Sequence, residues 1–301
     1  MNKNLKAHLA LLITQLIYGA NYSFTKVVMP EFIQPFGFIM VRVIGGLVLF
    51  FITSFFVKEK IDRKDWWRLV GLAFFGVALN QLLFYKGLNL SSPINASIMM
   101  ISNPIIVLVL MAFIAKERIS GRKVFGILLG VAGALTLLLV NKNFSFGTSS
   151  LGGDTLILIN SASWAIYTIL VKPMMQKYST VTILKWAFLF GLIFISPVSY
   201  PEFKQINWQS FPINVWLCVS FVVICTTFVA YLLNTYALRE LSPSVVSIYI
   251  YLQPFLASLI AIGLGQDQLD PIKVTSGLLI IAGVALVTLQ SDSKKVPVGK
   301  D

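Results

Sequence analysis

The chain has 301 residues, of which 57% are hydrophobic, and a formal net charge of +12. A soluble domain of this length does not need so much apolar surface, so the composition excludes an ordinary soluble protein and indicates a polytopic membrane protein. Only 12% of the residues are charged, and most lie between apolar runs, which indicates cationic loops beside an anionic leaflet and argues against a nucleic-acid partner.

Ten apolar segments follow one another along the chain. Each is about as long as the ~20 residues that a helix needs to cross ~30 Å of hydrocarbon, and in lipid a backbone group finds no partner outside its own helix. We therefore predict an all-α membrane protein with ten transmembrane helices. They cover residues 7–28, 33–57, 67–87, 93–115, 123–141, 153–173, 182–200, 213–236, 243–265 and 271–290.

The distribution of lysine and arginine predicts the orientation of these helices. With the N-terminus inside, eighteen of the 24 cationic residues fall at inner helix ends and four at outer ends. The remaining two, Lys26 and Arg42, lie inside apolar segments. This bias predicts that both termini lie in the cytoplasm.

One stretch of the chain occurs twice. Residues 92–133 align with residues 242–283 without a gap at a shift of 150 positions. The matched pairs include Pro93/Pro243, Pro104/Pro254, Gly133/Gly283 and, as an acidic pair, Glu117/Asp267. The copies lie five helices apart, an odd number, so the second is inserted upside down. We predict two inverted five-helix repeats, residues 1–145 and 146–291, joined by a polar linker on the outer face and followed by a cytoplasmic tail, 292–301.

The first predicted helix carries a polar face. Thr14, Tyr18, Asn21 and Thr25 are spaced by four, three and four residues, and Tyr22 lies beside them. Such a face avoids lipid and turns toward other helices or a water-filled cavity. Interhelical hydrogen bonds that only hold the bundle together are the alternative.

Arg42 lies close to mid-membrane, about nine residues or ~14 Å past the start of the second predicted helix. Burying it costs at least ~2.5 kcal/mol, and no Asp or Glu falls in the middle of a predicted helix. Arg42 is therefore either satisfied by backbone carbonyls or available to an anionic group. Lys26, near an outer helix end, either extends to the membrane surface or lines a cavity.

Amides, hydroxyls and aromatic rings recur at mid-membrane depth, and without carboxylates they suit a small polar or zwitterionic solute. Packing explains any single one better, so the prediction rests on their number and shared depth. The candidate solute-binding residues are Tyr18, Asn21, Tyr22, Arg42, Asn80, Gln81, Asn95, Asn103, Trp164, Tyr167, Tyr231, Tyr251 and Gln253. Pro104 and Pro254 each remove a helical hydrogen bond, which makes them candidate hinges.

Enzyme signatures are missing from the sequence. It has no zinc-protease, P-loop or serine-hydrolase motif, and the lone His8 cannot form a metal site by itself. We therefore predict that the protein is not an enzyme and uses no cofactor or metal.

Short motifs spread over nearly the whole chain point to a known family. They are Tyr18-Gly19-Ala20-Asn21 with Lys26, Pro35 with Arg42, Glu117 followed by Gly126 and Gly133, and Trp164-Ala165 with Lys172. In these motifs the chain resembles the EamA branch of the drug/metabolite transporter superfamily. The resemblance implies a ten-helix, inverted-repeat carrier of the bacterial inner membrane, of a kind that often exports amino acids or other metabolites. Tyr18 and Asp267 stand where the family more often has Trp and Glu.

Together, these features predict a secondary transporter that moves a small organic metabolite outward across the cytoplasmic membrane by alternating access. A passive facilitator or exchanger is the first alternative, because no central carboxylate offers itself for proton coupling. A non-transporting structural membrane protein is the second, although every loop is short. The predicted partners are a small-molecule solute and the lipid bilayer, and a homodimer is left open.

Overall fold

A computed structural model describes residues 3–91, 93–114, 116, 119–139, 151–263 and 271–291, and within these ranges it contains helices and turns but no β-strand. Eight helical stretches are long and apolar enough to cross a membrane. The predicted all-α class is thus confirmed, and the chain is a multi-pass membrane protein. Glu117, Asp267, the tail 292–301 and most of the linker lie outside the described residues.

The first half of the chain begins with a long polar helix. It forms α1 (Lys3–Val28), α2 (Pro35–Ser54), α3 (Trp66–Ala73), α4 (Asn80–Leu90), α5 (Pro93–Met100), α6 (Ser102–Ile114) and α7 (Gly121–Leu139). A first π-helical segment, Phe74–Leu79, joins α3 to α4 in one continuous crossing. Although α1 has 26 residues, it is not among the eight apolar stretches, in keeping with its polar face.

The second half repeats this order. It forms α8 (Leu151–Met174), α9 (Thr180–Lys204), α10 (Ile213–Phe221), α11 (Ala230–Glu240), α12 (Pro243–Ile248), α13 (Leu252–Gly263) and α14 (Pro271–Ser291). A second π-helical segment, Val222–Val229, joins α10 to α11, and a 3-10 segment, Tyr249–Tyr251, joins α12 to α13. Both bounds of α11 lie 150 positions after those of α4, and the two π-helical segments end 150 positions apart.

The fourth and ninth predicted helices are interrupted rather than continuous. The interruptions, a turn at Ile101 and the 3-10 segment, lie within one turn before Pro104 and Pro254. Proline donates no hydrogen bond and disfavours helical geometry for the residue before it, which explains both positions. The hydroxyl of Tyr251 donates to the carbonyl oxygen of Ile101 over 3.3 Å, so the two interruptions meet in the protein centre.

Helices α7 and α14 approach each other closely in opposite directions. A Cβ on Gly126 would lie 2.9 Å from the carbonyl oxygen of Gly283, and one on Gly133 would lie 2.7 Å from that of Ser276. Because the residue numbers rise along one helix as they fall along the other, the two helices are antiparallel. Only glycine allows the backbones to come this close.

Helices α2 and α9 form a second antiparallel pair, which is capped by glutamate at both ends. The Glu202 carboxylate, near the end of α9, accepts hydrogen bonds from the N–H groups of Phe36 (2.7 Å) and Gly37 (3.0 Å) at the start of α2. At the opposite end, the Glu59 carboxylate accepts the N–H of Ser179, just before α9, at 2.9 Å. Each carboxylate satisfies free donors at a positive helix end, which holds the pair together.

Candidate functional site

A central cavity lies between the two halves of the protein. It encloses about 810 Å³ of space free of protein atoms, counting the part open to solvent. The lining residues are Gln15, Tyr18, Asn21, Tyr22, Arg42, Asn80, Gln81, Phe84, Tyr85, Met100, Asn103, Asn160, Trp164, Thr168, Thr226, Tyr231, Asn234, Val246, Ser247, Ile250 and Gln253. Amides, hydroxyls and aromatic rings dominate this set, which contains one guanidinium and no carboxylate among the residues that the structure describes.

Most of the candidate residues face this cavity. Ten of the thirteen line it, namely Tyr18, Asn21, Tyr22, Arg42, Asn80, Gln81, Asn103, Trp164, Tyr231 and Gln253. The placement brings together residues that the sequence assigned to seven different helices. That they contact a solute stays a prediction.

The other three candidates lie beside the cavity and not in its lining. The hydroxyl of Tyr167 lies 3.3 Å from that of Thr235, and the Tyr251 hydroxyl is bonded to the carbonyl of Ile101. Asn95 is buried in α5, outside the lining. Helical spacing correctly placed these polar groups inside the protein, but it could not say whether a neighbouring helix or a cavity would meet them.

The two prolines stay out of the lining, but the residues directly before them enter it. Asn103 donates its Nδ2–H to the carbonyl oxygen of Ser161 at 2.9 Å. At the matching position of the repeat, Gln253 donates its Nε2–H to Oε1 of Gln15 at 2.8 Å. Each amide therefore connects an interrupted helix to a helix of the opposite half. The hinge role of Pro104 and Pro254 stays a prediction.

Several lining residues were not among the candidates, namely Gln15, Phe84, Tyr85, Met100, Asn160, Thr168, Thr226, Asn234, Val246, Ser247 and Ile250. A signal existed for Tyr85, which lies four residues after Gln81 and therefore shares its helical face. No such signal existed for Thr226. It lies in the second π-helical segment, where the change of helical pitch rotates the residues relative to an ordinary helix.

Arg42 lies in the cavity wall and is only 3% exposed. Its Nε–H donates to Oγ1 of Thr227 at 3.0 Å, and its Cζ lies 4.5 Å from the ring centroid of Tyr85. Thr227 in turn donates to the carbonyl oxygen of Val222 at 2.9 Å, inside the second π-helical segment. Within the described residues, the ion pairs involve Asp65 and not Arg42. The guanidinium is thus oriented by neutral groups.

Five lining residues bury polar side-chain atoms that have no hydrogen-bond partner among the described residues. These atoms are the hydroxyls of Tyr85 and Thr226, the Oδ1 atoms of Asn160 and Asn234, and both amide atoms, Oε1 and Nε2, of Gln81. The amide of Asn160 is oriented by its Nδ2–H, which donates to the carbonyl of Asn80 at 2.7 Å, so its oxygen is the free atom. Buried polar atoms without partners are costly, which makes these six atoms natural contacts for a bound solute.

Aromatic rings form much of the remaining wall. The ring of Trp164 lies 5.7 Å from that of Tyr231 in an edge-to-face arrangement, and the rings of Tyr22 and Phe84 are 5.9 Å apart. These side chains offer large apolar faces next to the amides and the guanidinium. The cavity can therefore accept a solute that combines polar groups with an apolar or planar part.

The first π-helical segment gives two backbone carbonyls to the opposite half. Ser163 donates to the carbonyl oxygen of Phe75 at 2.7 Å, and Tyr231 donates to that of Gly76 at 3.2 Å. A wider helical turn weakens the regular ladder of hydrogen bonds, and these side chains satisfy the carbonyls that it frees. Two side chains of the second half thus hold the first π-helical segment where it meets the cavity.

One lysine in each half caps the end of a neighbouring helix. Lys172 donates from Nζ to the carbonyl oxygens of Leu238 (2.6 Å), Leu241 (2.7 Å) and Arg239 (3.1 Å), at the end of α11. Lys26 donates to the carbonyl of Ser91, after α4, at 3.4 Å. Ser91 and Leu241 occupy the same repeat position, yet the contact in the second half is far tighter.

Nothing in the described residues groups three His, Cys, Asp or Glu side chains closely enough to hold a metal ion. The chemistry that the site offers is hydrogen bonding, ring stacking and one positive charge. These groups can bind a small polar solute.

Comparison with known proteins agrees with this picture. The sequence model of the EamA-like transporter family matches the chain twice, over residues 5–139 and 151–289. An uncharacterized transporter of Archaeoglobus fulgidus is 28% identical over 287 residues, covering 95% of this chain and 98% of that protein. The uncharacterized transporter YyaM of Bacillus subtilis is 24% identical and covers 94% of this chain and 93% of its own length. A solved crystal structure is similar in fold, with a TM-score of 0.76 at 18% identity over 96% of this chain and 99% of that one.

Proposed function

The chain belongs to the EamA-like transporter family, and we propose that it is a secondary transporter which exports amino acids or related small metabolites across the bacterial cytoplasmic membrane by alternating access. Both termini would face the cytoplasm, as the lysine and arginine distribution predicts. Similarity to proteins named as transporters supports the general activity. The substrate class, the direction and the mechanism are our proposal.

The observation that carries the proposal is the polar cavity at the centre of an otherwise apolar bundle. It is lined by both halves of the chain, and five of its residues bury polar atoms without partners in the described structure. A protein that only filled the membrane would gain stability by replacing these groups with apolar ones. Their presence is best explained by a solute that binds them during transport.

The arrangement of equivalent helices supports alternating access. Helices α7 and α14 carry the last part of each copy of the sequence repeat, and they run antiparallel. Equivalent helices that run in opposite directions are expected when one half is inverted in the membrane relative to the other. In such a carrier, the two halves exchange conformations, and the site opens first to one side and then to the other. We propose this organisation, with ten crossings in two inverted repeats, for the whole chain.

The experiment that tests the function uses the purified full chain in proteoliposomes. Uptake and efflux of a panel of amino acids and related metabolites would be measured with and without a pH gradient. Two variants of one residue type provide a matched pair: Trp164→Ala removes a ring from the cavity wall, whereas Trp67→Ala removes one that is 81% exposed.

We expect Trp164→Ala to lose most of the transport of any active solute and Trp67→Ala to keep it, with both proteins equally folded by size-exclusion chromatography. Equal transport by both variants would show that the cavity is not part of the transport pathway. Failure of the wild-type protein to move any solute of the panel in either direction would count against the proposed function itself.

A further inference from the structure

We propose that the solute of the central cavity carries a carboxylate that pairs with Arg42, and that the protein exchanges one such anion for another rather than returning empty. The inference rests on the proposed function, because it assumes that the chain is a carrier. It goes further by naming the charged group of the solute and the mode of coupling.

The first step concerns the counterion of Arg42. None of the seven Asp and Glu residues that the structure describes lines the cavity. Four of them are engaged elsewhere: Asp65 with Lys177, Glu59 and Glu202 at helix starts, and Asp154 with Ser91. Arg42 is nevertheless nearly fully buried, in a helix that crosses the membrane. A buried charge needs compensation, and the cavity gives an anion from solution access to the guanidinium.

The second step concerns the groups around the guanidinium. Tyr85 stacks against Arg42, and its hydroxyl has no partner within the described part of the protein. Thr226 precedes the threonine that accepts the Arg42 Nε–H, lines the same cavity and also has an unpartnered hydroxyl. A carboxylate accepts several hydrogen bonds and suits a planar guanidinium that can donate two in parallel. The guanidinium and these two hydroxyls together form a receptor for a carboxylate.

The third step concerns the aromatic wall and the neutral acceptors. The rings of Trp164 and Tyr231 provide an apolar surface, and the amide oxygens of Asn160 and Asn234 accept hydrogen bonds but carry no charge. A solute that is only cationic would meet Arg42 with no described carboxylate in the lining to attract it. The cavity therefore selects for an organic anion, or for a zwitterion held by its carboxylate.

The charge of Arg42 also determines how the proposed carrier is coupled. To change sides, a carrier must close its cavity and expel most of the water there. If the cavity is empty, closing it leaves Arg42 without water and without a counterion, which is unfavourable at low dielectric. If a carboxylate is bound, the pair is neutral, and closing strengthens their attraction. The loaded carrier therefore changes conformation quickly and the empty carrier slowly, which makes exchange the dominant mode of transport.

The binding arm of the test uses three probes that share a ring and chain but differ in charge. They are 3-phenylpropionate, 3-phenylpropanamide and 3-phenylpropylamine, titrated into the detergent-solubilised full chain with thermal stability as the readout. We expect the anion to stabilise the protein, the neutral amide to act weakly and the cation not at all. Arg42→Gln should abolish the response to the anion, and Arg42→Lys should retain part of it. Stabilisation by the amine, or none by the carboxylate, would overturn the proposed receptor.

The exchange arm uses proteoliposomes loaded with radiolabelled 3-phenylpropionate. Efflux into buffer containing the unlabelled anion should be at least about tenfold faster than efflux into buffer alone, since an uncompensated buried charge shifts the conformational equilibrium by at least that factor. In Arg42→Gln, loaded at higher concentration to offset weaker binding, the two rates should become similar. Arg63→Gln makes the same chemical change at an exposed arginine and should behave as the wild type.

The outcomes separate this inference from the proposed function. Equal wild-type rates with and without external anion would show transport without obligatory exchange, which overturns the coupling and leaves the transporter in place. Transport of neutral or cationic metabolites but not of carboxylates would overturn the whole inference while the proposed function stands. Loss of acceleration in Arg42→Gln, together with its persistence in Arg63→Gln, is the result that the charge argument requires.

Discussion

Replacing Arg42 by methionine should abolish transport without unfolding the protein. The substitution removes a charge whose burial costs at least ~2.5 kcal/mol. It also removes one charged hydrogen bond, to Thr227, worth about 1.5–3 kcal/mol, and a stacked contact with Tyr85 worth up to ~2 kcal/mol. These contributions nearly cancel, and the unbranched methionine fills much of the same space. We therefore expect the free energy of unfolding to change by no more than about 1 kcal/mol.

Solute binding responds very differently to the same substitution. Removing one partner of a desolvated, hydrogen-bonded charge pair costs about 2–5 kcal/mol. That range corresponds to a loss of affinity of roughly thirtyfold to several thousandfold. Transport of a carboxylate by proteoliposomes should fall accordingly, while the melting temperature and the elution profile of the purified protein stay close to those of the wild type. An aggregated or strongly destabilised Arg42→Met protein would refute the reasoning, because it would show that the guanidinium holds the bundle together.

Three further predictions test the surroundings of the cavity. Thr227→Val removes the hydroxyl that orients the guanidinium and should weaken carboxylate binding by about three- to tenfold in the same titration, whereas Thr227→Ser keeps the hydroxyl and should bind nearly normally. Gly126→Leu should prevent the close approach of α7 and α14 and reduce the yield of folded protein in a detergent extraction, whereas Gly71→Ala, with no atom within 4 Å of the new methyl group, should be neutral or stabilising by up to ~1 kcal/mol. Lys172→Met frees three helix-end carbonyls and should lower the melting temperature clearly more than Lys26→Met, which frees one held at 3.4 Å; equal shifts would show that the difference in contacts carries no energy.

The fold class and most of the cavity-lining candidates could be predicted from the sequence, because both follow from the free-energy cost of exposing polar groups to lipid. Apolar runs of membrane length predict helices, since lipid offers the backbone no other solution. A polar residue such as Asn21 or Gln81 in the middle of such a run must turn inward. The polar faces of several helices could therefore be predicted to face a common cavity before the packing of the helices was known.

What the sequence could not predict depends on contacts between helices. Tyr167 and Tyr251 have the spacing of cavity residues, but their hydroxyls are taken by Thr235 and the carbonyl of Ile101. Thr226 lines the cavity because it lies in a π-helical segment, where the helical pitch changes. No residue pattern in the sequence predicts that segment. Geometry of this kind arises from tertiary packing, which helical periodicity does not describe.

The cavity combines a repeated frame with chemistry that is not repeated. Positions 150 residues apart both line it in five cases, Tyr18/Thr168, Gln81/Tyr231, Phe84/Asn234, Met100/Ile250 and Asn103/Gln253, yet in each pair the side chains differ. In the proposed carrier, the repeated frame would let each half open in an equivalent way, but a lining that was also symmetric would hold a solute equally well in two opposite orientations. The lining contains one guanidinium, that of Arg42 on α2. Glu202 of α9 caps the start of α2, and Glu59 caps the start of α9. A carboxylate bound to this guanidinium would stay paired with α2, which is held to α9 by both glutamates. In the proposed transport cycle, the interrupted and π-helical crossings around it would change conformation. The solute would then not need to reorient when the carrier changes conformation.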